Sequence, residues 1–165
     1  MGYTVVSRTE VPPAEGRPCE LRRLSEAAAM SNVAVNVFRA EPGEQIPLAY
    51  HYHEQQEEAF YVLSGTMFVE TPDETYRVES GSLFTASPKS PHRAYNPQDA
   101  DDDVEVLAIG APAIDGDANE YQPGTAPSSD EAGSDEDSAD AGSDEDSDGA
   151  ESGEGSADAG SDGGA

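Results

Sequence analysis

Between Val33 and Ile109 the chain follows a period of two, and turn residues interrupt it every eight to twelve positions. An amphipathic helix repeats near 3.6 residues, so this stretch can hide an apolar face only as short strands. Many short, regularly punctuated strands specify an all-β sandwich or barrel. Val33, Val35 and Val37 alternate with Ala34, Asn36 and Phe38 before Glu41-Pro42-Gly43 breaks the run. Glu58, Phe60 and Val62 alternate with Ala59, Tyr61 and Leu63, and after Ser64-Gly65 the chain returns as Thr66 to Glu70. Thr71-Pro72-Asp73-Glu74 leads into Thr75 to Val78, Glu79-Ser80-Gly81 into Ser82 to Ala86, and Val104 to Ile109 closes the domain. The one helical candidate is Leu21 to Met30, with Ala27, Ala28 and Ala29. The alternative for that segment is an irregular arm lying on the barrel or on a partner subunit.

Composition divides the 165 residues into an arm or edge strand over 1–32, a β-domain over 33–114 and an acidic tail over 115–165. Eighteen acids and all eight bases fall before Asp115, leaving ten net negative charges there, while the tail adds seventeen acids and no base to make −27. The tail has no Val, Leu, Ile or Phe, and repeats Ala-Gly-Ser-Asp-Glu-Asp-Ser at 132–138 and 141–147. Without an apolar face nothing offsets the entropy of ordering, so it reads as disordered low-complexity sequence that keeps the protein hydrated. With no basic stripe the chain is not expected to bind nucleic acid, and it would be repelled by an anionic membrane surface. No apolar run approaches the ~20 residues of a membrane span, and Val6 stands where a myristoylation signal requires Ser or Thr. The lone Cys19 forms no internal disulfide, and a cytoplasmic protein is expected. Seven Arg to one Lys, Lys89, on an acidic surface resembles the proteins of salt-accumulating haloarchaea.

The chain holds only three histidines, His51, His53 and His92. On a strand His51 and His53 leave the same face and Tyr52 the other. Glu58 follows five residues after His53, and His92 comes from a distant strand. Three imidazoles and one carboxylate suit a divalent transition metal, and four protein ligands on an octahedral ion leave two positions open. Nitrogen and oxygen donors accept Mn, Fe, Ni, Cu or Zn, so the cofactor's identity stays open.

These residues resemble the motifs of the cupin superfamily. One motif runs Gly, five residues, His-x-His, three or four residues, Glu, six residues, Gly. His51-Tyr52-His53 through Glu57-Glu58 to Gly65 is similar to it from the histidines onward. The other runs Gly, five residues, Pro-x-Gly, two residues, His, three residues, Asn, and Gly81 to Asn96 is similar to it in spacing. Two departures stand out. The first motif's opening Gly would fall at Gln45, with Gly43 two positions earlier, so a bulge or longer turn is expected there. In the second, Ser87 replaces Pro and Lys89 replaces Gly. The resemblance implies a cupin jelly-roll, the double-stranded β-helix barrel, with Glu58 rather than Glu57 as the carboxylate ligand. Glu58 leaves six residues before Gly65 and shares a face with Phe60 and Val62.

In the family that face lines the interior, so Phe60, Val62, Phe68 and Phe84 are expected as an apolar pocket wall or as plain core. Lys89 is either a surface residue or an anchor for an anionic substrate. Arg93 and Tyr95 should point away from His92, and Asn96 should be a turn or supporting residue. The resemblance also implies pairing as a homodimer through N-terminal strands, for which Tyr3 to Val6 is the candidate. The function expected is a metal-binding barrel open to a small-molecule ligand, either a metal-dependent oxygenase or isomerase or a non-catalytic binding or sensor module. No further acid-base pair, activated nucleophile or phosphate-cradling glycine loop is legible.

Overall fold

The structure, a computed structural model, describes residues 2–124. The acidic repeats lie outside the described residues. Among the described residues ten strands and one helical turn follow in order: β1 Glu20–Arg23, α1 Leu24–Ala27, β2 Ala34–Ala40, β3 Gln45–His53, β4 Glu57–Ser64, β5 Thr66–Glu70, β6 Thr75–Glu79, β7 Leu83–Ala86, β8 His92–Tyr95, β9 Val104–Ala111 and β10 Ala118–Glu120. They form two five-stranded antiparallel sheets, ordered β1-β2-β9-β4-β7 and β10-β3-β8-β5-β6. Alternate residues of each sheet meet in between. Phe38, Ile46, Phe60, Val62, Met67, Val69, Val104 and Val106 are all buried there. The all-β jelly-roll expectation therefore holds.

Three readings need correction. The helical candidate Leu21 to Met30 is mostly not helix: its first residues belong to β1, and α1 spans only four residues. Leu21 pairs with Phe38 and is buried with it, so tertiary burial overrides local propensity. Nor is that segment the irregular arm of the alternative, since β1 and α1 occupy most of it; an irregular arm lies earlier, over residues 2–19. It is fixed by Ala14 N–H donating to Leu21 O, by Arg22 donating to Val11 O, and by the buried Val11 and Cys19. Within the single chain Tyr3 to Val6 form no strand, and Tyr3 and Val5 are 93% and 98% exposed.

The second correction concerns the boundary at Ile114. Folded structure continues past it, because β10 pairs with β3 and Tyr121 N–H donates to Tyr50 O. The third concerns Phe68. In β5 the inward residues are Met67 and Val69, both fully buried, while Phe68 turns outward against Tyr95 at 6.1 Å. Gly65 alone connects β4 in one sheet to β5 in the other, so inward parity passes from the even positions of β4 to the odd positions of β5. A period of two carried across that corner puts every side chain on the wrong face.

The bulge expected near Gln45 lies inside β3. The β3–β8 register shifts between Ile46 and His51, both of which are buried. Five positions separate them, an odd number, so only an extra residue in the strand lets both face inward. Pro47, which has no N–H for the ladder, falls within that shift.

Candidate metal centre

Each donor comes from a regular element. His51 and His53 end β3, and His51 sits directly opposite His92 of β8, with ring centroids 4.7 Å apart. Glu58 enters from the other sheet. Its cross-strand partners on β4's two neighbours are Ala86 and Gly110, both small. Glu57, one residue earlier, is exposed.

The four side chains meet in the interior. Glu58 Oε2 lies 3.1 Å from His92 Nε2, 3.3 Å from His53 Nε2 and 3.8 Å from His51 Nε2. Donor atoms of His51, Glu58 and His92 all lie within 4.8 Å of one another, and this group could hold a metal ion. His53 approaches the carboxylate but stands outside that tightest set.

The opposite ring nitrogens explain which atoms are offered. His51 Nδ1 donates to Ala49 O at 2.9 Å, and His92 Nδ1 donates to Ser90 O at 3.0 Å. A carbonyl can only accept, so in both rings Nδ1 carries a proton and Nε2 is the atom presented to the centre. His53 Nδ1 is buried without a hydrogen-bond partner. Its nearest acid is Asp117, with Oδ2 at 3.6 Å. By composition alone Asp117 belongs to the acidic tail, and only the fold brings it here.

Charge couples the cluster. Burial pushes the Glu58 carboxyl up, but the three imidazoles gathered around it outweigh this and hold the group well below the usual glutamate value. Burial pushes His51 down, and contact with Glu58 and Ala49 O more than reverses this, so its value is raised. A depressed carboxylate contributes stability above its ordinary value of 4.5, lost as pH falls through the folded value. A raised histidine contributes stability below its ordinary 6.5, lost as pH rises through the folded value. The metal-free cluster should therefore stabilise the domain most between those two values. The difference in melting temperature between metal-free wild type and Glu58→Gln should peak in that window, and a difference independent of pH would contradict the coupling.

The remaining expected pocket residues divide. Phe60 and Val62 are fully buried core. Phe60 touches His92 ring to ring at 5.8 Å. Phe84 lines a cleft of about 410 Å³ together with Tyr76, Ser87, Lys89, Ser90 and His92. The cleft opens between β6 and β7, one edge strand of each sheet, and Tyr76, Phe84 and His92 form a line from rim to interior at 5.5 and 6.3 Å. The only sequence signal for Tyr76 is an aromatic beside the Thr71 to Glu74 turn. Arg93 and Tyr95 face away from His92 as expected, with the Arg93 guanidinium 5.3 Å from the Tyr95 ring centre. Asn96 is buried, and its side-chain amide donates to Ala40 O and Asp102 O, so it fastens loops.

Residues 36–110 match the family model for the cupin domain. The fold is that of a cupin. Solved structures agree. A sugar phosphate isomerase from a cupin superfamily of Silicibacter pomeroyi is 21% identical with a TM-score of 0.57, covering 67% of this chain and 76% of its own. A predicted oxalate decarboxylase from Thermotoga maritima is 21% identical with a TM-score of 0.56, covering 67% and 100%. The polyketide cyclase RemF from Streptomyces resistomycificus is 22% identical with a TM-score of 0.60, covering 73% and 87%. At these identities the likeness is one of fold. Against a fourth structure, from Acidithiobacillus ferrooxidans and 25% identical, the chain spans 60% of that protein's length. No curated protein matches the chain in sequence. Among the described residues no helix is long and apolar enough to cross a membrane.

Proposed function

We propose that this cupin binds one divalent transition metal through His51, His53, Glu58 and His92 and offers it to a small molecule entering by the cleft beside His92. The observation that carries this reading is the convergence of three imidazole Nε2 atoms on one buried carboxylate, two of them with Nδ1 already committed to a backbone carbonyl. Such a donor set, three imidazole nitrogens and one carboxylate, fits a borderline divalent cation. A bound ion would supply Lewis acidity and open coordination positions, the chemistry of metal-dependent oxygenases and isomerases. The protein's own part is to present the donors, to exclude water with Phe60 and Phe84, and to orient the ligand at the cleft.

Lys89 supports a ligand with an anionic group. Its φ of +64° is the left-handed conformation that a glycine adopts freely and a lysine does not. Its N–H donates to His53 O, so the strained residue is tied to a metal-binding strand, and its ammonium stands at the cleft 3.7 Å from Glu54. Strain of this kind persists where a side chain has a task. Lys89→Gly should raise stability by up to ~1 kcal/mol in denaturant unfolding while weakening an anionic ligand. Unchanged stability would remove the argument from strain.

Loading the full chain with cobalt and adding azide tests the reading. A cobalt spectrum that azide perturbs supports an open site. A spectrum indifferent to azide would leave a closed, purely structural metal, and an open site with no turnover would favour the binding or sensor module.

A further inference from the structure

His53 stands outside the tightest donor set, its Nδ1 is buried with no hydrogen-bond partner, and the acid nearest that nitrogen, Asp117, immediately precedes β10, beyond the cupin domain match. Asp117 is 7% exposed. Its carboxylate accepts the backbone N–H of Gln56 at 2.9 Å and of Gln55 at 3.2 Å, and its carbonyl accepts Glu54 N–H at 3.3 Å. The acid is thus locked onto the β3–β4 turn, between the His-x-His strand and Glu58. That turn is rigid in its own right, because Gln56 Nε2 donates to Pro112 O and the Gln56 amide fills the space a Cβ on Gly110 would need.

β10 lies directly beside the donors. Ala118 pairs with His53 and Glu120 with His51, and Tyr121 packs on Tyr50 with ring centres 5.0 Å apart. Two of the three histidines therefore have a β10 residue as their cross-strand neighbour.

We propose that Asp117 is a positioning residue of the metal centre: its anchored carboxylate keeps the His53 proton on Nδ1 and turns Nε2 toward Glu58, and β10 is the strap that holds Asp117 there. The inference rests on the metal-binding reading above. His51 and His92 receive the same service from Ala49 O and Ser90 O, so Asp117 supplies the third ring with the acceptor that the local backbone does not. An anionic acceptor on the far nitrogen also makes Nε2 a stronger donor.

Two measurements on the full chain test this. Nitrogen-15 NMR of the metal-free protein, at a pH well above the imidazole range, reports which nitrogen of each histidine is protonated. Cobalt affinity is read by competition with a chromophoric chelator. In wild type His53 should be protonated on Nδ1. Asp117→Asn, which keeps the size and one oxygen acceptor, should redistribute the His53 proton while leaving His51 and His92 unchanged, and should weaken cobalt binding ~10–100-fold. Asp117→Ala should be weaker still, and if it does not fold the asparagine variant decides. Protonation of wild-type His53 on Nε2 would overturn the proposal. So would an Asp117→Asn protein that melts lower but keeps both the wild-type His53 signal and the wild-type cobalt affinity. If wild type takes up no metal, the metal-binding reading fails by itself, and the His53 signal still decides the role of Asp117.

Discussion

Gly65→Ala should destabilise the domain by ~3 kcal/mol or more, a large share of the ~5–15 kcal/mol typical of a folded domain. Gly65 is the only residue between β4 and β5, where the chain leaves one sheet for the other, and it has φ +75°. A Cβ there would lie 2.5 Å from Asp103 O and 3.0 Å from Val104 Cα. Those are backbone atoms of the segment entering β9, so no side chain can swing aside to relieve the overlap. Gly81 is the matching control, because it has φ +84° at the return from β6 to β7 but nothing within 4 Å of an added Cβ. Gly81→Ala should cost only the left-handed strain, ~1 kcal/mol. Urea unfolding of the two variants separates close approach from strain. Equal losses would mean that the corner at Gly65 is looser than described.

The second large effect concerns the ligands. His51→Ala and His92→Ala should each abolish stoichiometric metal, because each removes a donor from the tightest group and leaves Glu58 a buried charge with fewer partners. Glu58→Ala should do the same. Glu57→Ala should keep its metal, since Glu57 is exposed on the opposite face of β4. Loss of metal in Glu57→Ala with retention in Glu58→Ala would reverse the ligand assignment.

The residues that could be read from sequence are those whose facing follows from period two within one strand. Glu58, Phe60 and Val62 point inward together, and His92 and Ala94 are buried while Arg93 and Tyr95 are not. Rarity did the rest for the histidines, since three imidazoles in a chain of 35 acids have few reasons to share an interior. The failures share one physical cause, which is that the deciding partner is remote in sequence. Phe68 was misplaced because parity changes at the Gly65 corner. Leu21 was misread because the residue that buries it, Phe38, is seventeen positions away. Asp117 was invisible because Asp115 to Tyr121 has the local composition of the acidic tail, and only pairing with β3 separates the two. The one local hint was Tyr121, the last aromatic of the chain, which packs tilted against Tyr50. Lys89 in a glycine's place was legible as a departure from the cupin motif, but its left-handed φ was not.

The most direct test of the account is elemental analysis of the full chain purified anaerobically in high salt, beside Glu57→Ala and His92→Ala. The account predicts about one divalent transition metal per chain in wild type and Glu57→Ala and none in His92→Ala. Metal-free wild type that also refuses added cobalt, or a His92→Ala protein that keeps its metal, would contradict it.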